Sequence, residues 1–132
     1  MKPGQELPVL DKKITQEGVR RYAKASGDFN PIHLDNSFAA ATPFGRTIAH
    51  GMLLLAYLSE SMTRTFGEAW VASGRLRVRF RGPAYPGDRV TVQGRVRSVQ
   101  ETAQGHQVMC DLAGRNQRGE LLISGEAWVS PR

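Results

Sequence analysis

The stretch Gly51-Met-Leu-Leu-Leu-Ala-Tyr-Leu58 decides the fold. In an α-helical conformation this stretch is apolar on every side, and such a helix has to be buried over most of its surface. Polar residues follow it and Gly67 can end it, so we expect one long helix over residues 51–65. Its apolar run is too short to span a bilayer, which needs about 20 residues.

The sequence after this helix changes to a period of two, which is typical of β-strands. Four arginines alternate with Leu76, Val78 and Phe80 in residues 75–81, and this pattern predicts a half-buried strand. Further strands are predicted over residues 88–100, 107–114 and 120–129, with an irregularity near residues 98–99 and a turn over residues 102–105. Short turns favour an antiparallel sheet, so the predicted fold class is α+β, with one sheet wrapped around the long helix.

Two short helices are predicted before the long one. Thr15 can cap a helix over residues 15–26, and Asp35 can cap another over residues 36–41. The segment between them, residues 28–33, is expected to be non-helical, because Pro31 has no amide hydrogen and restricts the residue before it.

Composition limits the class of protein further. The chain has 132 residues, the size of one domain, and its single cysteine excludes an internal disulfide and a cysteine-rich zinc site. No secretory signal is visible, so a cytoplasmic protein is expected. The net charge is +6, with 14 Arg against 4 Lys, which makes nucleic acids, membrane surfaces and phosphorylated small molecules the partners to consider.

The residues suited to chemistry lie between the short helices. Asp28 and His33 are five residues apart in a segment constrained by Gly27 and Pro31, and a carboxyl group and an imidazole held in this way can act as an acid/base pair. Asn30 between them can orient a water or the carboxylate. Gly51 begins the long helix, where an approachable backbone N–H can stabilise an oxyanion.

These motifs resemble a known family. Gly27-Asp28-x-Asn30-Pro31-x-His33, with Ala39 six residues later, is similar to the signature of the (R)-specific enoyl-CoA hydratases, also called hydratase 2 or MaoC-like dehydratases. Residues 49–52 and 83–90 are similar to that family's long-helix start and to a later turn into a strand. The resemblance covers roughly residues 5–130, and Ala25 departs from it without removing a chemical group.

The resemblance implies a single hotdog domain over residues 1–132 that pairs with a second subunit. It implies reversible hydration of a trans-2-enoyl thioester of coenzyme A or acyl carrier protein to the (R)-3-hydroxyacyl thioester, without a cofactor. Asp28 and His33 would hold the water, the Gly51 N–H would bind the thioester oxygen, and Asn30 would orient the catalytic groups. A homodimer or higher oligomer also has a physical reason, because a lone sheet leaves an unpaired edge and an open side of the helix.

Further residues are candidates for substrate contact. They are Ser59, His50, Met52, Phe38, Phe44, Arg79 and Arg81. For several a structural role competes: His50 can cap or pack at the helix start, Gly51 can permit close packing, and a serine such as Ser59 can bond to its own helix. The histidines match no compact ligand spacing, so no metal site is predicted.

The arginine row of residues 75–81 has three interpretations. It can be a solvated sheet face, a contact for the phosphates of coenzyme A or for an acidic carrier protein, or a nucleic-acid surface. We do not expect nucleic acid, because no aromatic residues interleave with the arginines on their side of the strand, and no membrane partner is expected. Two alternatives to a hydratase remain: a hotdog acyl-CoA thioesterase, and a non-catalytic module that binds acyl thioesters or nucleic acid.

Overall fold

The computed structural model describes residues 1–103 and 105–131, which form five strands and five helices. In chain order these are β1 (Leu10–Lys13), α1 (Gln16–Ser26), α2 (Pro31–Leu34), α3 (Asn36–Ala40), α4 (Gly51–Phe66), α5 (Glu68–Ser73), β2 (Arg75–Phe80), β3 (Arg89–Thr102), β4 (Gly105–Arg115) and β5 (Leu121–Val129). The turn predicted over residues 102–105 includes Gln104, which lies outside the described residues.

The strands form one antiparallel sheet in the order β1-β3-β4-β5-β2. The register between β3 and β4 shifts between Val96 and Ser98, next to the irregularity predicted from the sequence. β2 pairs with β5 at one edge of the sheet, although only a short segment separates it from β3. The segment of residues 81–88 therefore connects two strands that are not paired with each other.

Helix α4 packs against the sheet and contacts all five strands, which confirms the α+β arrangement. Its buried side includes Leu54, Tyr57, Leu58 and Met62, of which Leu58 and Met62 are fully buried. The opposite side is open at its start, where Met52 is 54% exposed. The sequence predicted burial on most sides, and a single chain provides it on the sheet side only.

The short helices begin and end where the capping residues place them. The Thr15 hydroxyl accepts from the Gly18 N–H, and α1 ends at Gly27, whose φ of 78° is left-handed. The Asp35 carboxylate accepts from the N–H groups of Ser37 and Phe38 at the start of α3.

Residues 31–34 form the helical turn α2, so the prediction of a non-helical segment over residues 28–33 is wrong in its second half. Pro31 does hold Asn30 in an extended conformation, with ψ 129°. It also occupies the first position of a helix, where a missing N–H costs nothing. Strand β1 and helix α5 have no counterpart in the sequence-based prediction, since both are short.

None of the helices formed by residues 1–103 and 105–131 has the length and apolar character needed to cross a membrane.

Leu58→Ala should lower the free energy of unfolding by about 2–5 kcal/mol, because Leu58 is fully buried between α4 and the sheet and its truncation leaves a cavity. Urea unfolding at one fixed protein concentration measures the change. The matched control is Val71→Ala in α5, where the side chain is 78% exposed and a change within about 0.5 kcal/mol is expected. Equal effects of the two substitutions would contradict the burial described.

Candidate active site

Asp28 lies in the loop after α1, where the left-handed Gly27 turns the chain toward the start of α4. Its carboxylate is exposed, and its Oδ1 accepts from the backbone N–H of Asn30 at 3.2 Å. The Asn30 side chain in turn accepts from the Ile32 N–H at 3.1 Å and caps α2. Asn30 therefore fixes the carboxylate through its backbone and begins, through its side chain, the helix that carries His33.

His33 lies in α2 and is only 9% exposed. Its Nδ1 is 2.8 Å from the carbonyl oxygen of Ile48. A carbonyl can only accept, so Nδ1 carries the proton of the neutral ring and Nε2 keeps a free lone pair. The fold thereby provides a base at Nε2.

A partly buried polar network holds the backbone of α2. The Gln16 side-chain amide donates to the His33 carbonyl at 2.9 Å, and the Thr47 hydroxyl donates to Gln16 Oε1 at 2.7 Å. The Thr47 N–H donates to Asn36 Oδ1 at 3.3 Å, and Thr47 is 2% exposed. Sequence reasoning did not find Gln16, Asn36 or Thr47, because only the folded chain brings these separated polar residues together.

His50 is the residue that precedes the first turn of α4, and it is almost fully buried. Its Nε2–H donates to the backbone oxygen of Asp28 at 3.0 Å, and its ring stacks on that of His33 with 3.8 Å between the centroids. The Tyr22 ring covers another side at 4.9 Å. Burial is the main cause that lowers the pKa of His50 below 6.5, and its position near His33 lowers it further, so the ring is neutral at pH 7.

Asp28, His33 and His50 form one group, which we call the histidine cluster. One carboxylate oxygen of Asp28 and one ring nitrogen of each histidine lie within 4.8 Å of one another.

Gly51, the next residue of the chain, is the first residue of α4 and is exposed. Its N–H has no acceptor within the helix at this position and lies at the positive end of the helix dipole. A Cβ at Gly51 would lie 3.1 Å from the Phe80 ring, so glycine also permits β2 to approach. The site thus places a carboxylate, a base and a hydrogen-bond donor together.

The other predicted contact residues lie around and beyond this cluster. Phe38, Phe44 and Met52 are exposed apolar side chains, at 49%, 41% and 54%. Ser59 lies two turns along α4 from Gly51, and its hydroxyl accepts from the Trp70 indole N–H at 2.9 Å. That bond ties α5 to α4, a role that the sequence did not indicate.

The arginine row divides into paired and unpaired members. Arg77 forms an ion pair with Glu126, and Arg75 and Arg77 lie over the ring of Trp128, at 5.3 and 5.7 Å. Within residues 1–103 and 105–131, Arg79 and Arg81 form no ion pair, and Arg81 reaches only the Ser124 hydroxyl. The argument that no aromatic residue accompanies the arginines is wrong, because Trp128 comes from the neighbouring strand β5, which the pattern of β2 alone does not show.

An antiparallel sheet around one long helix, with an acid/base loop at the helix start, defines the chain as a hotdog-fold protein. A family profile described as "MaoC like domain" matches residues 1–113. The (R)-specific enoyl-CoA hydratase of Aeromonas caviae is 36% identical over 123 residues, which cover 91% of this chain and 88% of that one. The 3-hydroxybutyryl-CoA dehydratase of Methylorubrum extorquens is 34% identical, over 92% of this chain and 75% of that one.

Solved structures agree with these relatives. The structure of the (R)-hydratase from A. caviae involved in PHA biosynthesis superposes with a TM-score of 0.88, at 32% identity, and the match covers all of this chain and 98% of that one. The R-hydratase PhaJ1 of Pseudomonas aeruginosa, without ligand, gives a TM-score of 0.86 at 29% identity. The chain belongs to the MaoC-like dehydratase family, which confirms both the family and the hotdog fold expected from its motifs.

Thr47→Val should lower the free energy of unfolding by about 0.5–1.5 kcal/mol, because it removes the hydrogen bond from a buried hydroxyl to the half-buried Gln16 side chain. Thermal or urea unfolding measures the loss. Thr63→Val is the matched control, since Thr63 is exposed and its hydroxyl bonds only to its own helix at Ser59. A loss of the same size in both variants would count against the network.

Proposed function

We propose that this chain hydrates trans-2-enoyl thioesters reversibly to (R)-3-hydroxyacyl thioesters. The observation that carries the proposal is the proximity of the Asp28 carboxylate to the His33 ring. The Nδ1–H of His33 donates to the Ile48 carbonyl, which leaves Nε2 free to act as the base. The relatives named (R)-specific enoyl-CoA hydratase and 3-hydroxybutyryl-CoA dehydratase support the same reaction class.

The two side chains divide the addition of water between them. His33 Nε2 takes a proton from the water as the water oxygen attacks C3, and the C2 carbon of the resulting enolate awaits a proton. That proton passes from His33 to the Asp28 carboxylate and from there to C2, so both side chains return to the state in which they began. The buried Ile48 contact keeps the His33 ring in the required tautomer throughout.

The Gly51 N–H stabilises the negative charge that develops on the thioester oxygen when C3 is attacked. This N–H projects from the first turn of α4, beside His50, where the helix dipole favours an anion. The product contains only the atoms of water and of the enoyl thioester, so the proposed reaction requires no cofactor.

Phe38, Phe44 and Met52 are proposed to contact the acyl chain, because their apolar side chains are exposed. We also propose a homodimer. β2 is an edge strand, Phe80 is 52% exposed, and the side of α4 bearing Met52 is open, so a second copy would cover all three. The cytoplasmic location expected from the sequence stays a prediction.

Asp28→Asn and His33→Gln should each lower kcat for crotonyl-CoA hydration by about 100-fold or more, since each removes a proton-transfer group. Initial rates from the loss of enoyl absorbance measure the effect. The control is His106→Gln, which removes an exposed histidine paired with Glu101 and should leave the rate unchanged.

Two outcomes would overturn the assignment. One is a correctly folded Asp28→Asn or His33→Gln protein, as judged by circular dichroism, that retains the parent rate. The other is an (S)-3-hydroxyacyl product, determined by chiral analysis of the hydration mixture.

The carrier's phosphates are proposed to bind at Arg79 and Arg81. Among the residues that the structure describes, neither side chain has a carboxylate partner like the one that neutralises Arg77, so their charge is available to an anion. They flank Phe80 on β2, and the Phe80 ring lies beside Gly51. Because side chains alternate along a strand, Arg79 and Arg81 point to the face of β2 opposite Phe80, and the phosphates would bind on that outer face of the sheet.

Replacing Arg79 and Arg81 together with glutamine should raise KM for crotonyl-CoA roughly tenfold, with kcat little changed, because a charge-assisted contact to phosphate is lost. Arg77→Gln on the same strand is the matched control and should change KM by less than about twofold, since its charge is already paired. A crotonyl thioester truncated to remove all phosphates should show no difference among the variants. An equal KM for parent and double variant at low salt would support a solvated sheet face instead.

A further inference from the structure

His50 contacts both of the residues that the proposed reaction uses for proton transfer. Its Nε2–H donates to the backbone carbonyl oxygen of Asp28 at 3.0 Å, and its ring stacks on the His33 ring with 3.8 Å between the centroids. The next residue of the chain is Gly51, whose N–H is the proposed donor to the thioester oxygen. His50 is only 2% exposed, so its effect on the reaction has to pass through these neighbours.

The segment of residues 27–30, which carries Asp28, depends on His50 for its attachment to the rest of the fold. Within residues 1–103 and 105–131, the other hydrogen bonds of this segment join it only to residues 23–34. Local bonds of this kind fix the shape of a turn, but they do not fix its position against α4. The bond from His50 spans 22 positions of the sequence and supplies that attachment.

The second ring nitrogen of His50 indicates that packing alone does not explain a histidine at this position. Its Nδ1 is buried without a hydrogen-bond partner among the residues that the structure describes. A buried acceptor without a donor costs free energy, and a leucine of similar size would avoid that cost. What a histidine supplies here, and a leucine does not, is the N–H that reaches Asp28.

We propose that His50 is a positioning residue for the hydration: its Nε2–H holds the Asp28 carbonyl and thereby keeps the Asp28 carboxylate beside His33. The role in hydration rests on the proposed function, whereas the attachment of residues 27–30 does not. A displacement of about 1 Å at a reacting group can lower a rate by about 100-fold, so the loss of one such bond is sufficient to affect kcat.

Two substitutions separate the N–H of His50 from the volume of its side chain. His50→Gln keeps an N–H donor at a similar reach, whereas His50→Leu keeps a similar volume without a donor. His50→Leu should lower kcat for crotonyl-CoA hydration by about 10- to 100-fold with KM within about twofold of the parent, and His50→Gln should keep kcat within about fivefold. Initial rates over a range of crotonyl-CoA concentrations measure both constants. His106→Leu is the matched control at an exposed histidine and should change neither.

A second measurement does not depend on activity. In the parent and in His50→Gln, ¹⁵N relaxation should give the backbone amides of Asp28, Phe29 and Asn30 order parameters near about 0.85, the value of rigid backbone. In His50→Leu the same amides should fall below about 0.6, while those of β4 stay unchanged. If His50→Leu does not fold, His50→Phe, which also lacks the N–H, takes its place with the same expectations.

A folded His50→Leu protein that keeps the parent kcat would overturn the positioning role. An unchanged kcat with a raised KM would overturn it in favour of direct contact with the substrate, and equal losses of kcat in His50→Leu and His50→Gln would show that the N–H is not what matters. A parent that hydrates no crotonyl-CoA, but whose residues 28–30 lose order in His50→Leu alone, would refute the proposed function and confirm the attachment by His50.

Discussion

The burial of α4 against the sheet is the constraint on which the rest of the structure depends. Leu58 and Met62 are fully covered, and every strand contacts the helix. Because this packing fixes the helix, it also fixes its first residue, Gly51, and the residue before it, His50. The position of the site is thus a consequence of hydrophobic burial, which is strong but non-directional. Hydrogen bonds, which are directional, then orient the side chains of the site.

Two hydrogen bonds join the segment of residues 28–33 to the start of α4, and each segment donates one of them. The ring of His33, in α2, donates to the Ile48 carbonyl just before α4, and the ring of His50, at the start of α4, donates to the Asp28 carbonyl in the preceding loop. Each bond fixes a tautomer as well as a position. The same two bonds hold the cluster in the arrangement that proton transfer requires.

The sequence could predict what depends on local pattern. The apolar run of α4, the alternation in β2 and the caps at Thr15 and Asp35 are local signals, and the structure confirms the elements that they indicate. The Asp28 and His33 motif was visible because its residues are close in the sequence.

Contacts between distant segments could not be predicted. The pairing of β2 with β5 and the position of Trp128 beside the arginines depend on which strands become neighbours, and the alternation of one strand carries no information on that. Thr47 and Gln16 are 31 positions apart, and nothing in either local sequence marks them as partners. The sequence does not predict the turn α2, because proline disfavours most helix positions, whereas Pro31 occupies the first position of this helix.

The segment of residues 27–34, which carries Asp28 and His33, forms no strand of the sheet, and this affects how the protein unfolds locally. Segments outside the core unfold locally at a lower free energy than the strands of the core. Local opening of this segment would separate both imidazoles from their carbonyl partners at once while Cys110, fully buried in β4, stays covered. Local opening of the site and global unfolding are therefore distinct events in this molecule. Exposure of the Cys110 thiol reports global unfolding only.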